Sequence, residues 1–160
     1  MEQPKAVHST FVVERSFRKP PEIVFQAFAD PNKARRWYAE GEGHEVQEFT
    51  SDFRVGGSQT LRYKLGPNTP VAGMSINNQA RFQEIQPNRR IVTSTTMDLE
   101  QTRILASLVT VELTPNASGT DMVLTQQGVY FTSGLTPAMI EAGWRGLLDT
   151  LTKELAEARN

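Results

Sequence analysis

TPAMIEAGWRGLLDTLTKELAEA, residues 136–158, is the stretch on which the architecture turns. Its apolar side chains fall at Ile140, Trp144, Leu147, Leu148, Leu151 and Leu155, the three-and-four spacing that builds one helical stripe. Thr136 followed by Pro137 adds a hydroxyl cap and a proline in the first turn, both helix-start signals. The pattern predicts one long amphipathic helix at the C-terminal end.

Working back from that helix, the chain breaks into short alternating runs. Strands are predicted over 9–18, 45–50, 58–65, 74–85, 90–98, 104–114 and 120–127. Gly56-Gly57, Gly66-Pro67-Asn68, Pro87-Asn88 and residues 115–119 are the turn signals between the later ones. After the first strand, Pro21 opens a short helix over 21–28, and Asp30-Pro31 leads into a second helical turn over 33–38 that ends in Trp37-Tyr38. Grouped strands with helices segregated from them argue for an α+β fold with an antiparallel sheet. The sheet is expected to curl around the terminal helix, and the space between the two makes a container for a small molecule the first functional idea.

At 160 residues the chain is expected to form a single domain, with its core over roughly 9–156. Lysines and arginines number 17 against 18 aspartates and glutamates, and the basic residues are scattered, so no general field for nucleic acid or anionic membrane exists. Zero cysteines exclude disulfides, thiolate catalysis and cysteine-bound metals. Met1-Glu2-Gln3-Pro4-Lys5 lacks the layout of a secretory signal, and no apolar run reaches the roughly 18 residues of a membrane span. The expectation is a cytoplasmic protein.

The usual catalytic constellations do not assemble. His8 and His44 stand beside strand starts without a partner at metal-ligand spacing, and Glu42, Glu45 and Glu48 read as a solvated strand edge. No metal site and no cofactor are therefore predicted. Gly-x-Ser-x-Gly is absent, and Gly56-Gly57 reads as a backbone turn needing positive φ rather than a phosphate loop. Asp52 and Arg54 read as a surface pair.

Alternation says more. It turns Met74, Ile76, Asn78, Ala80 and Phe82 to one face, with Ser75, Asn77, Gln79, Arg81 and Gln83 to solvent. By the same reading Leu61 and Tyr63 point inward with Gln59, and Ile91 and Met97 with Thr93 and Thr95. Val109, Val111 and Leu113 point inward with Ser107, and Met122 and Leu124 with Gln126. These faces mix apolar and hydrogen-bonding groups. Either the polar groups satisfy one another or water and a ligand satisfy them, since an unpartnered buried amide costs about 1–3 kcal/mol. Within the long helix, Gly143 adjoins the apolar stripe and either permits close packing or leaves room beneath it; Trp144 either walls the space or anchors the helix.

Pro21-Glu22-Ile23-Val24-Phe25-Gln26-Ala27-Phe28, Asp30-Pro31 and Trp37 resemble the opening of the START-like (SRPBCC, helix-grip) superfamily. Phe53-Arg54-Val55-Gly56-Gly57, the run 84–92, Val109 to Leu113, Gly119-Thr120, Leu124 to Gly128, and Gly143-Trp144 with Leu148 and Leu151 continue the resemblance. It covers roughly residues 9–156 and points to the branch of homologues of a heat-shock-protein ATPase activator, with polyketide-cyclase-like proteins. It implies a helix-grip fold: a curved seven-stranded antiparallel sheet around a long C-terminal helix, two short helices after strand one, and a deep cavity. It implies binding of hydrophobic or aromatic molecules, with catalysis in some relatives. Relatives often carry histidine where this chain has Gln126 and Ile140, so the obvious acid–base groups are missing here.

The expected function is thus binding of a small hydrophobic or aromatic amphipathic molecule. Trp37, Tyr38, Phe53, Tyr63, Met74 and Met97 are expected to shape the site, together with Met122, Phe131, Met139, Gly143 and Trp144. Gln59, Asn78, Thr95 and Gln126 are expected to offer hydrogen bonds. A cyclase- or hydrolase-like enzyme using Tyr63 or an inward carboxylate is the alternative, although alternation turns no carboxylate inward. A protein that modulates a chaperone ATPase is a third reading, resting on the family's name. A homodimer is compatible with the residues but not demanded by them.

Overall fold

The computed structural model describes residues 5–41 and 43–157. Residues 1–4, Glu42 and Ala158, on which the leader, strand-edge and helix-end readings touched, lie outside the described residues. β1 (Val7–Phe17) runs into α1 (Pro21–Ala29), then α2 (Pro31–Ala34) and a π-helical turn (Arg35–Ala39). Six strands follow, β2 (Glu45–Ser51), β3 (Ser58–Lys64), β4 (Ser75–Gln86), β5 (Arg90–Leu99), β6 (Thr102–Asn116) and β7 (Gly119–Tyr130), and α3 (Pro137–Glu157) closes the chain. All seven strands join one antiparallel sheet in the order β1-β7-β6-β5-β4-β3-β2. The short helices carry the chain from β1 to the opposite edge, and the meander returns it to β1. This is the α+β helix-grip arrangement.

Local chemistry sets the ends of these elements. Thr136 caps α3, its Oγ1 accepting the Met139 N–H at 3.2 Å. Asp30 caps α2 by accepting the Asn32 N–H at 2.9 Å. Gly56 has φ +84°, which glycine alone adopts freely, and a Cβ on Gly57 would lie 2.0 Å from the Asp52 carbonyl oxygen. The turn reading of this pair holds, and Asp52 does pair with Arg54 at the surface, 2.8 Å apart.

Side chains opposite one another across antiparallel strands share a face. The register therefore arranges the inner face in rungs. Leu61, Asn78, Met97, Leu105 and Tyr130 form one; Gln59, Ala80, Thr95, Ser107 and Gly128 form the next; Phe82, Thr93, Val109, Gln126 and Phe11 form a third. Small residues dominate the middle rung. A register shift at Met97/Asp98 turns both Ile104 and Leu105 inward, where strict alternation would bury one of them.

The core consequently divides in two. A large cluster joins Phe11, Val13, Phe25, Trp37 and Leu124 to Leu148, Leu151 and Leu155 of α3. A smaller one holds Ile76, Ile104, Leu105 and Tyr130. Between them, over the rung of small side chains, lies open space. Ion pairs Arg15–Asp149 and Arg36–Glu154 tie α3 to β1 and the π turn. Both are solvent-exposed in part and add little to stability. Among the described residues, no helix is long and apolar enough to cross a membrane.

Candidate functional site

The space between the sheet and α3 is a cavity of about 730 Å³. Its inner end is set by Gln59, Ala80, Thr95, Ser107 and Val109 on the sheet, with Gln126 below Trp144. On α3, Met139, Ile140, Gly143, Trp144 and Leu147 face it, the helical spacing that presents one stripe. The outer end is formed by the hairpin turns, through Leu65, Thr69, Val71, Met74, Leu99 and Glu100. Burial follows this axis, with Leu61, Val109 and Gln126 buried and Val71, Glu100 and Met139 exposed.

The cavity exists because opposing positions are small. Ala80, Thr95, Ser107 and Gly128 underlie it, and a Cβ on Gly143 would meet no atom within 4 Å. No neighbour therefore packs closely against the missing Gly143 side chain. Trp144 does both things open to it: its ring walls the cavity, and its Nε1 donates to Gln126 Oε1 at 3.0 Å.

Most polar groups on the inner face satisfy one another. The fully buried Gln126 also donates from Nε2 to the Tyr130 hydroxyl, 3.1 Å away. Gly128 makes that reach possible, since a Cβ there would come within 3.0 Å of the Tyr130 ring. Thr95 and Ser107 share a hydrogen bond across β5 and β6, and Gln59 Oε1 accepts from Ser51 at 3.1 Å. Asn78 differs. Its amide lines the cavity between Leu61 and Met97 and makes no hydrogen bond with the described residues.

Tyr38 is the second free polar group. The π turn sets Trp37 into the core, where Nε1 donates to the Ala27 carbonyl at 2.8 Å, and sets Tyr38 against the cavity. Part of the Tyr38 side chain stays accessible from the cavity, yet the packed protein around its hydroxyl desolvates it and pushes the phenol up to about 12. The hydroxyl has no hydrogen-bonding partner among the described residues and stays protonated near neutrality.

Other residues expected at the site stand as follows. Tyr63, Met74, Met97 and Met139 line the cavity. Trp37 and Phe53 do not; with Tyr38 they border a separate void of about 60 Å³ that shares Gln59, Ala80, Thr95, Val109 and Trp144 with the main cavity. Met122 is sealed into the large cluster, and Phe131, 38% exposed, lies outside the lining. Neither side chain reaches the cavity. Met122 sits two rungs beyond Gln126, past the inner end of the cavity, and Phe131 follows Tyr130, the last paired residue of β7, so alternation no longer aims it.

Sequence reasoning missed His44 and Glu100, which both line the outer end. The His44 ring stacks on Tyr63 with centroids 4.8 Å apart, and its Nδ1 accepts the Gly66 N–H at 3.1 Å. A signal existed, because His44 lies two residues before Val46, which pairs with the inward Tyr63. Glu100 offered none: it is a turn residue with φ +53° whose Oε1 accepts the Ser75 N–H at 3.3 Å. Among the described residues no group of three or more His, Asp and Glu is set to hold a metal.

The Gln126 bracket carries a prediction. Gln126→Leu keeps the volume but strips the Trp144 N–H and the Tyr130 hydroxyl of their partner. Each orphaned group costs about 1–3 kcal/mol, so the loss expected in urea unfolding is roughly 2–4 kcal/mol. A loss below about 1 kcal/mol would mean the bracket is not a structural element.

Comparison with known proteins finds relatives of the same fold. The family model for activator of Hsp90 ATPase homolog 1-like protein matches residues 18–156. The Mll3558 protein from Rhizobium loti has a similar structure, with a TM-score of 0.84 and 41% identity over 94% of this chain and 99% of that one. A protein from Rhizobium leguminosarum superposes with a TM-score of 0.87 at 32% identity, over 96% of this chain and 98% of that one. Protein CV1439 from Chromobacterium violaceum reaches a TM-score of 0.77 at 25% identity, over 93% and 99% of the respective chains. No curated protein matches the sequence.

Proposed function

We propose, from the premise that this chain belongs to the activator of Hsp90 ATPase homolog 1-like family, that it binds a small hydrophobic or aromatic amphipathic molecule between sheet and α3. The observation that carries this reading is the cavity of about 730 Å³ with a largely apolar lining. That volume falls within the range of roughly 300–1,000 Å³ typical of small-molecule sites, which likewise combine apolar walls with a few placed polar groups. A core built only for stability would fill such a space, because packed interiors leave few voids larger than a water molecule.

Binding without chemistry is favoured by where the proton-transferring groups stand. No carboxylate or imidazole lines the inner end among the described residues; His44 and Glu100 stand at the outer end. The chaperone reading rests on the family's description alone, and a cavity of this size works against a purely structural role for the space.

Native mass spectrometry of the purified protein tests the proposal, followed by thermal shifts against aromatic and aliphatic compounds. A bound molecule at a hundred times its Kd stabilises by about 2.7 kcal/mol, which corresponds to a rise of roughly 5–10 °C for a chain of this size. If nothing is retained and no compound raises the midpoint, the container reading fails and a protein partner becomes the better search.

A further inference from the structure

We infer that the cavity selects an uncharged molecule, one whose apolar body carries a neutral hydrogen-bonding group (hydroxyl, carbonyl or amide) that pairs with Asn78. The inference rests on the container reading above and specifies the headgroup that the container accepts.

The first ground is charge. Among the described residues, neither lysine nor arginine lines the cavity, and its carboxylate, Glu100, is at the outer end. A carboxylate or phosphate entering the space meets no cation to pair with. An ammonium meets a counter-charge at the opening and none deeper in. An ion transferred from water into an apolar space without a partner is heavily penalised. The His44 imidazole is tied up at the outer end, its Nδ1 accepting the Gly66 N–H and its ring stacked on Tyr63, so it does not reach a group held deeper in the cavity.

The second ground is which polar groups remain free. Gln126, Thr95, Ser107 and Gln59 are engaged with protein partners. The Asn78 amide and the Tyr38 hydroxyl are not. An amide presents both a donor and an acceptor, and it carries no charge. Tyr38, a phenol that is uncharged near neutrality, likewise offers a neutral group on the cavity wall. Asn78 lies on the rung between the outer hairpins and the inner end, flanked by Leu61 and Met97. A ligand's polar group is therefore expected to sit partway along its body, or to be reached past an apolar segment that fills the inner end.

The test uses the intact protein, freed of any retained molecule, and headgroup series on two bodies. Affinities of 1-decanol, decanoate and decylamine, and of 2-naphthol and 2-naphthoate, are measured by calorimetry near neutral pH, where the acids and the amine are ionised. The alcohol of each series is expected to bind at least about tenfold more tightly than the charged members of that series. Comparing 2-naphthol with naphthalene isolates the hydrogen bond, and Asn78→Leu is expected to abolish that difference. A carboxylate or amine that binds as well as its alcohol would overturn the charge inference while leaving the container reading intact. An advantage of naphthol over naphthalene that survives in a folded Asn78→Leu protein would overturn the role of Asn78. If no member of either series binds, the container reading fails with the inference. Because the headgroup series is run on the unaltered protein, it decides the charge question even if Asn78→Leu does not fold.

Discussion

Trp37→Ala is expected to cost about 3–5 kcal/mol of folding stability, the range for removing a large aromatic from a packed core. Trp37 is 2% exposed. Its ring packs edge-on against Phe28, with centroids 5.0 Å apart, and against Tyr38 at 5.6 Å. The truncation leaves a cavity and also deprives the Ala27 carbonyl of its 2.8 Å donor at a buried position. For a chain of this length the loss corresponds to a fall of roughly 6–20 °C in the unfolding midpoint. Trp37→Phe restores most of the packing but not the hydrogen bond, so it is expected to cost a smaller amount, about 1–2 kcal/mol. Urea and thermal unfolding of the two variants check this. A loss below about 1 kcal/mol for Trp37→Ala would show that the π turn and α1 are held by something other than this indole.

The same residue marks how far the sequence could be read. Alternation aimed the inner faces of β3 to β7 correctly except at a bulge such as that beside Ile104, because each side chain's direction is fixed by a period of two that the turns do not disturb. The stripe on α3 was legible for the equivalent helical reason. Trp37 and Tyr38 were not separable, since both are aromatic neighbours at the end of a short helical turn. Only the wider π turn decides that one enters the core and the other faces the cavity. Met122 shows a second kind of limit. It shares its inward face with Gln126, but whether that face meets α3, a neighbouring side chain or open space depends on which rung it occupies. Rungs follow from register, and register depends on bulges such as the shift at Met97/Asp98 that alternation alone does not reveal. The polar groups divide for a related reason. Gln126 and Asn78 look alike as single inward amides on strands, yet Gln126 has Tyr130 four residues on and Trp144 above it, while Asn78 has apolar neighbours on both adjoining strands.

Gly143→Leu is expected to separate binding from stability. Most substitutions that abolish binding also loosen the fold, which makes the loss hard to interpret. At Gly143 the two effects point in opposite directions. The residue is inside α3, it has no positive φ, and a Cβ built on it meets nothing within 4 Å. Replacing glycine in a helix interior by a good helix former stabilises by about 0.5–1 kcal/mol. The leucine side chain must then go where Ile140, Trp144 and Leu147 already point, into the cavity. Ligand affinity is expected to drop at least about tenfold, the consequence of losing roughly 1.4 kcal/mol or more of contact. Gly143→Ala is the control: it gains a similar helix increment, adds only a Cβ, and should bind almost as the unaltered protein does. Calorimetric titration alongside urea unfolding reads both quantities. A stable Gly143→Leu protein with unchanged affinity would place the ligand somewhere other than beneath α3. A stability loss above about 1 kcal/mol would mean that the space under Gly143 is needed by the protein itself, and the reason this chain keeps glycine there would be packing rather than a guest.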